Sequence, residues 1–129
     1  ESGWAIEPQE PLAFRAALTL SAPIVSGFVY CIVQDASGAT VVHQRRELST
    51  LLDGGLPAGR HEVAGEFPPL WLAPGLYNVH LKFIGRDAAG HDVKYVSERQ
   101  LLDVTGWSNE HARALLAPAC DWTVLEGVA

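Results

Sequence analysis

A tight-turn signature occurs twice in this chain in nearly the same form, and it limits the fold more than any other feature. Asp35-Ala36-Ser37-Gly38 separates an apolar run, Phe28 to Val33, from a second run at Thr40 to His43. Asp87-Ala88-Ala89-Gly90 separates Leu76 to Ile84 from His91 to Val96. An Asp that opens a turn accepts hydrogen bonds from its own backbone, and a Gly at the fourth position supplies positive φ without steric cost. Such signals between extended runs mark β-hairpins. Two hairpins with apolar strands in 129 residues argue for a β-sandwich.

The remaining runs fit the same architecture. Leu12, Phe14, Leu18 and Leu20 share one parity while Arg15 and Thr19 share the other, the alternation of a half-buried strand. Val25 to Gln34 is apolar on both parities, as in a central strand whose outer face is also in use. Ala39 to Arg46 returns from the first turn. Leu48 to Gly59 holds three glycines and Pro57 and reads as a long loop. Arg60 to Phe67 is a modest strand, and Pro68-Pro69 ends it. Leu72-Ala73-Pro74-Gly75 reads as a turn with Pro and Gly in the places favoured at the centre of type II. In Leu76 to Ile84, Tyr77, Val79, Leu81 and Phe83 face one way and Asn78, His80 and Lys82 the other. His91 to Val104 is extended but uneven, with a bend at Ser97-Glu98-Arg99. Residues 1–11 lack a period and read as a lead-in. Ala112 to Ala117 fits either a two-turn helix capped by Ser108 or Asn109, or a last strand ending near Trp122.

The expected fold is therefore all-β, an immunoglobulin-like antiparallel β-sandwich of seven or eight strands. Its core takes Phe14, Leu18, Val29, Val33, Tyr77, Val79 and Leu81. No amphipathic helix lies between strands, which excludes parallel βαβ units.

Hydrophobic residues make up 48% of the chain and charged residues 19%, the balance of a globular protein. The whole length, 1–129, is expected to form a single β-sandwich domain. Glu1 is not a natural start, so the domain is expected to be excised from a larger protein. Nine basic against 15 acidic residues leave a net charge of −6, a poor match for nucleic acid phosphates. No apolar stretch approaches a membrane span. The two cysteines, Cys31 and Cys120, are too few for a disulfide scaffold. Cys31 has the parity of Val29 and Val33 and reads as a small core residue. A Cys31–Cys120 bridge is the alternative in an exported protein.

The usual catalytic signals are missing. There is no nucleophile elbow, phosphate loop or C-x-x-C, and no histidine sits in a recognised ligand spacing. His91-Asp92 could be a proton-transfer pair, but a solvated turn explains it. Asp35 and Asp87 could be paired carboxylates, but turn opening is a sufficient role. No enzyme activity, cofactor or metal is expected.

What remains is surface. Strands C and F of an immunoglobulin-like sandwich are neighbours, here Val25–Gln34 and Leu76–Ile84. With the core parity turned inward, Tyr30, Ile32 and Gln34 face outward beside Asn78, His80 and Lys82, and His43 and Arg45 extend the face. Aromatic, amide, imidazole and basic groups suit a sugar chain: a ring stacks on a pyranose and polar groups pair with hydroxyls. The candidate carbohydrate-binding residues are Tyr30, Gln34, Asn78, His80 and Lys82. The same exposed apolar residues equally fit an oligomer interface. Trp4 and Trp107, in the flanks, could also stack on ligand. Trp71 and Trp122 read as packing residues.

The order of several segments also resembles a known family. The segments are Glu10-Pro-Leu-Ala-Phe-Arg, Ala22 to Phe28, Val33 to Val42, and Leu70-Trp71-Leu72-Ala73-Pro74-Gly75-Leu76-Tyr77-Asn78-Val79-His80-Leu81. Together they resemble the C-terminal polysaccharide-recognition domain of the Wzt-type ATP-binding subunit in ABC transporters that export O-antigen. His43-Gln44-Arg45-Arg46 departs from the small-residue and Asn-Thr stretch of that family. The resemblance implies a cytoplasmic domain at the inner face of the inner membrane. It would bind the non-reducing end of a lipopolysaccharide O-antigen chain before export. It also implies a homodimer and, through the parent protein, contact with the transporter's membrane subunit, without membrane insertion of its own. The ATPase would lie in a preceding domain. Two alternatives are a structural or protein-interaction sandwich domain and an accessory domain of a glycan-processing enzyme.

Overall fold

The structure is a computed structural model that describes residues 3–51, 54–106, 116, 120 and 121. Eight strands follow in order: β1 (Gly3–Ile6), β2 (Leu12–Leu20), β3 (Ser26–Asp35), β4 (Thr40–Glu47), β5 (Gly59–Phe67), β6 (Gly75–Arg86), β7 (Asp92–Val96) and β8 (Gln100–Val104). They form two layers. The larger sheet runs β1-β8-β6-β3-β4, and β7 pairs with the far half of β6; the smaller sheet is β2 with β5. The all-β sandwich read from the sequence is the observed architecture.

Both turn signatures form the expected hairpins by the same chemistry. Asp35 Oδ1 accepts the Ser37 and Ala39 amides at 2.9 Å and the Ser37 hydroxyl at 2.7 Å. Asp87 Oδ1 accepts the Ala89 and His91 amides at 3.0 and 2.9 Å. Gly38 and Gly90 donate back to the Asp carbonyls at 3.0 Å with φ of 90° and 83°, conformations that a side chain would strain. These bonds favour the ionised Asp. The Ser37 hydroxyl and Ala39 amide hold the Asp35 carboxyl below its usual range, and the His91 amide does the same for Asp87.

Alternation decides what lies between the layers. Val29, Cys31 and Val33 of β3 and Tyr77, Val79, Leu81 and Phe83 of β6 point inward and are buried. From the smaller sheet, Leu12 and Leu20 are buried, and Phe14, Ala16, Leu18, Val63 and Phe67 pack against the core. Phe14 lies opposite Gly65, and its ring occupies the space a Gly65 side chain would need: a Cβ there would sit 2.4 Å from Phe14 Cζ. The ring also packs on Phe67, centroids 5.6 Å apart. Tyr77 anchors the start of β6 by donating its hydroxyl to the Ala73 carbonyl at 2.7 Å, in the manner of the tyrosine corner of immunoglobulin-like folds.

The structure corrects or sharpens the sequence reading in four places. The lead-in contains β1, which pairs in parallel with β8, so the sandwich is not wholly antiparallel. Its four residues depend on a partner almost the whole chain away, and no local period betrays them. Trp4 is opposite Leu102 and packs on the core, so it does not present a stacking platform. His91–Val104 is two strands divided at Ser97–Arg99, where the Leu81 amide donates to Ser97 Oγ at 2.8 Å. The Leu48–Gly59 loop begins with a 3-10 turn, Leu48–Thr50, and later pairs Leu56 with Ile24. Leu116 bridges Leu72; Trp107, Trp122 and the rest of the terminal helix-or-strand alternative lie outside the described residues. Cys31 and Cys120 are both free thiols, and burial pushes Cys31 up to about 12.

Val33 and Leu81 are 0% and 2% exposed on adjacent central strands. Truncating either to Ala is expected to cost about 2–4 kcal/mol, the range for a buried aliphatic side chain and its cavity. Urea unfolding checks this, and a loss below about 0.5 kcal/mol at both sites, the level of surface changes, would contradict the packing described.

Candidate functional site

β3 sits between β4 and β6, and its ten residues from Ser26 to Asp35 pair with Arg86 to Tyr77. Residues directly opposite one another share a face, so the outward side chains fall into rows. Arg45, Tyr30 and Lys82 form one row. His43, Ile32 and His80 form the next. Gln34 stands opposite Asn78 in the third. The five candidate residues of the sequence reading therefore lie on one face of two neighbouring strands, and His43 and Arg45 extend it.

The rows interlock. The Tyr30 and His43 rings stack with centroids 4.9 Å apart and an interplanar angle of 28°. Lys82 Nζ lies 5.2 Å from the centre of the Tyr30 ring. Tyr30 also meets Phe28, centroids 6.5 Å apart, and Arg45 Cζ sits 4.4 Å over the Phe28 ring. Tyr30 is thus braced from both flanking strands. A pyranose can stack on it only by displacing His43 or Lys82; without that, Tyr30 offers its edge and hydroxyl. Phe28 and Arg45 belong to this cluster, and the sequence reading left Phe28 out. Its parity with Tyr30 was the available signal.

The middle of the face is more enclosed than alternation suggested. His80 and Ile32 are each only 6% exposed, so His80 is not a freely solvated outward residue. Its Nδ1 and the Asn78 Oδ1 are shut from solvent and have no hydrogen-bond partner among the described residues. Buried polar atoms are normally paired, so two orphans on one strand face are unusual. Burial, then the positive charges of Arg99 and Lys82, hold the His80 imidazole below its ordinary pKa. It is neutral at pH 7 and can offer one donor and one acceptor.

Other parts of the surface carry less. A cleft of about 320 Å³ opens between the layers at the β4 side. Its lining mixes apolar Phe14, Val29, Val63 and Phe67 with Gln44, Arg46 and Glu66, and neither orphaned polar atom of the described residues lies in it. His91 and Asp92, considered above for proton transfer, belong to separate exposed pairs: His91 Nδ1 is 3.6 Å from Asp87, and Asp92 is 3.4 Å from Arg86. No group of three potential metal ligands occurs among the described residues. No helix among them is long and apolar enough to cross a membrane.

The fold and face together define a class: a two-layer β-sandwich domain with a polar and aromatic sheet face. In fold alone, a solved structure similar to this chain is the C-terminal domain of Wzt, with a TM-score of 0.68 over 94% of this chain and 74% of that one, at 8% sequence identity. The likeness is one of fold, and it agrees with the family resemblance carried by the ordered segments. No sequence family matches the chain, and no curated protein matches it in sequence.

An orphaned buried imidazole should weigh against stability. His80→Leu fills similar space without an unpaired polar atom and is expected to leave the melting temperature unchanged or raise it at pH 7, because removing such a group is neutral or favourable. The pH dependence has a definite sign. The unfolded chain takes up the His80 proton near pH ~6.5, whereas the folded chain resists it, so wild type loses stability as pH falls from 7 toward 5. The gap in melting temperature between His80→Leu and wild type should widen over that window. A constant gap would contradict the burial described.

Proposed function

We propose that this domain binds a bacterial surface polysaccharide of O-antigen type through the outward face of β3 and β6, with no catalysis of its own. The observation that carries the reading is the pair of polar atoms without a partner among the described residues, Asn78 Oδ1 and His80 Nδ1, in the rows beside Tyr30. Sugar hydroxyls both donate and accept, so they suit an amide oxygen and a neutral imidazole together. Tyr30, Gln34 and Lys82 border this pair and complete the candidate site. The two orphan atoms are closed off in the free domain, so binding requires their neighbours to shift.

The fold likeness to the C-terminal domain of Wzt supports the wider assignment. In that reading the domain recognises the glycan for an ABC exporter at the cytoplasmic face of the inner membrane. A parent chain supplies the ATPase and the contact with the membrane subunit. A homodimer would raise avidity for a multivalent glycan.

A second reading has its own support. Leu76, Ile84, Val96 and Leu101 share the outward face and are 50%, 39%, 47% and 51% exposed. Apolar groups at that exposure suit a protein contact, either between two copies or with another domain. They flank the polar rows rather than replace them, so both uses fit one sheet.

Calorimetric titration with the surface polysaccharide of the host tests the proposal. Affinity for a short glycan should fall between micromolar and millimolar, about −8 to −4 kcal/mol. Tyr30→Ala and Asn78→Ala should each weaken it by about tenfold or more, roughly 1.4 kcal/mol, with the domain still folded by its melting curve. Wild-type affinity in both variants would overturn the assignment of the site.

A further inference from the structure

The polar rows carry an excess of positive charge that the domain does not use internally. The chain has 15 acidic and nine basic residues, yet Arg45 and Lys82 stand on either side of Tyr30 in one register row. Arg99 lies close enough to depress His80. The ion pairs among the described residues join Arg15 and Arg60 to Glu62, Arg86 to Asp92, and His91 to Asp87. None involves Arg45, Lys82 or Arg99. Of the acids on this face, Asp92 is paired with Arg86, Asp103 lies opposite Leu76, and Glu47 lies opposite Phe28, in the row next to Arg45 but outside the ion pairs named above. Glu98 adjoins Arg99 in the bend.

The two central cations are also held in place. Arg45 lies over Phe28 and Lys82 over Tyr30. A ring face positions a cation without neutralising it, so each head group keeps its capacity for an anion. A guanidinium and an ammonium so held are suited to anionic oxygens, in charge-assisted hydrogen bonds stronger than those to neutral hydroxyls.

We infer that the ligand of this face is an acidic saccharide, one bearing carboxylate or phosphate groups. Arg45 and Lys82 take the anionic oxygens, while Asn78 and His80 meet hydroxyls. This inference rests on the proposed glycan recognition and specifies its substrate class. It also makes the face selective: a neutral glycan would leave both cations without a counter-charge and lose the strongest contacts.

The test is titration of the domain with four probes at 50 mM and 500 mM salt. The probes are oligogalacturonate, a phosphorylated mannan fragment, a neutral mannan fragment, and polyaspartate as an anion without sugar. At low salt one or both acidic saccharides should bind about tenfold or more tighter than neutral mannan and polyaspartate, and high salt should erase most of that margin. The two acidic probes separate carboxylate from phosphate as the source of charge. Arg45→Gln and Lys82→Gln should each weaken the acidic probe by roughly three- to tenfold. Arg60→Gln, which removes a charge from the opposite layer, should not. Melting curves confirm that each variant is folded. Neutral mannan bound as tightly as the acidic probes, or binding unmoved by both charge variants, overturns this inference and leaves glycan recognition standing. Polyaspartate bound as tightly as the acidic saccharides overturns the saccharide part. If no acidic probe binds at millimolar concentration the inference fails. If the host polysaccharide is also not bound, the recognition reading fails with it.

Discussion

The antiparallel ladder between β3 and β6 is the constraint on which the rest of the molecule depends. Ten consecutive residue pairs join the two strands without a shift. Because side chains alternate, this one register assigns Val29, Cys31, Val33, Val79, Leu81 and Phe83 to the core and Tyr30, Gln34, Asn78, His80 and Lys82 to the opposite face. A slip of one residue in either strand would exchange the two sets, exposing the core and burying Lys82. Stability and the candidate site are therefore outcomes of the same pairing.

Each of these strands enters its own hairpin through an Asp-Gly turn, at Asp35–Gly38 and Asp87–Gly90. The turns fix where β4 and β7 begin. In the first hairpin a one-residue register shift between Val33 and Gln34 then brings Arg45, not Gln44, opposite Tyr30; in the second, Val96 meets Lys82. The Tyr77 hydroxyl bond to Ala73 fixes the other end of β6. Three local polar contacts at strand ends, with the shift between Val33 and Gln34, therefore set the positions of side chains near the centre of the sheet.

The outward face departs from what stability alone would select. Among the described residues, His80 and Asn78 keep buried polar atoms without partners, and cations gather there in a domain of negative net charge. Local disagreement of this kind, within a fold whose patterning is otherwise consistent, is characteristic of functional surfaces. The rings of Phe28 and Tyr30 hold the two cations in place, whereas the polar atoms of Asn78 and His80 become accessible only when their neighbours shift.

The sequence by itself determined the strands with strong alternation, the two hairpins, the inward parity and the set of outward residues on β3 and β6. These follow from period-two patterning and turn chemistry, which act over a few residues. Tertiary structure alone decided the parallel pairing of β1 with β8, the inward placement of Trp4, the stacking of His43 on Tyr30 and the enclosure of His80. Each of those depends on groups brought together from distant strands, and alternation says which face a side chain takes but not what stands beside it there. His80 shows the difference most plainly: its parity placed it outward, and its neighbours on that face made it buried.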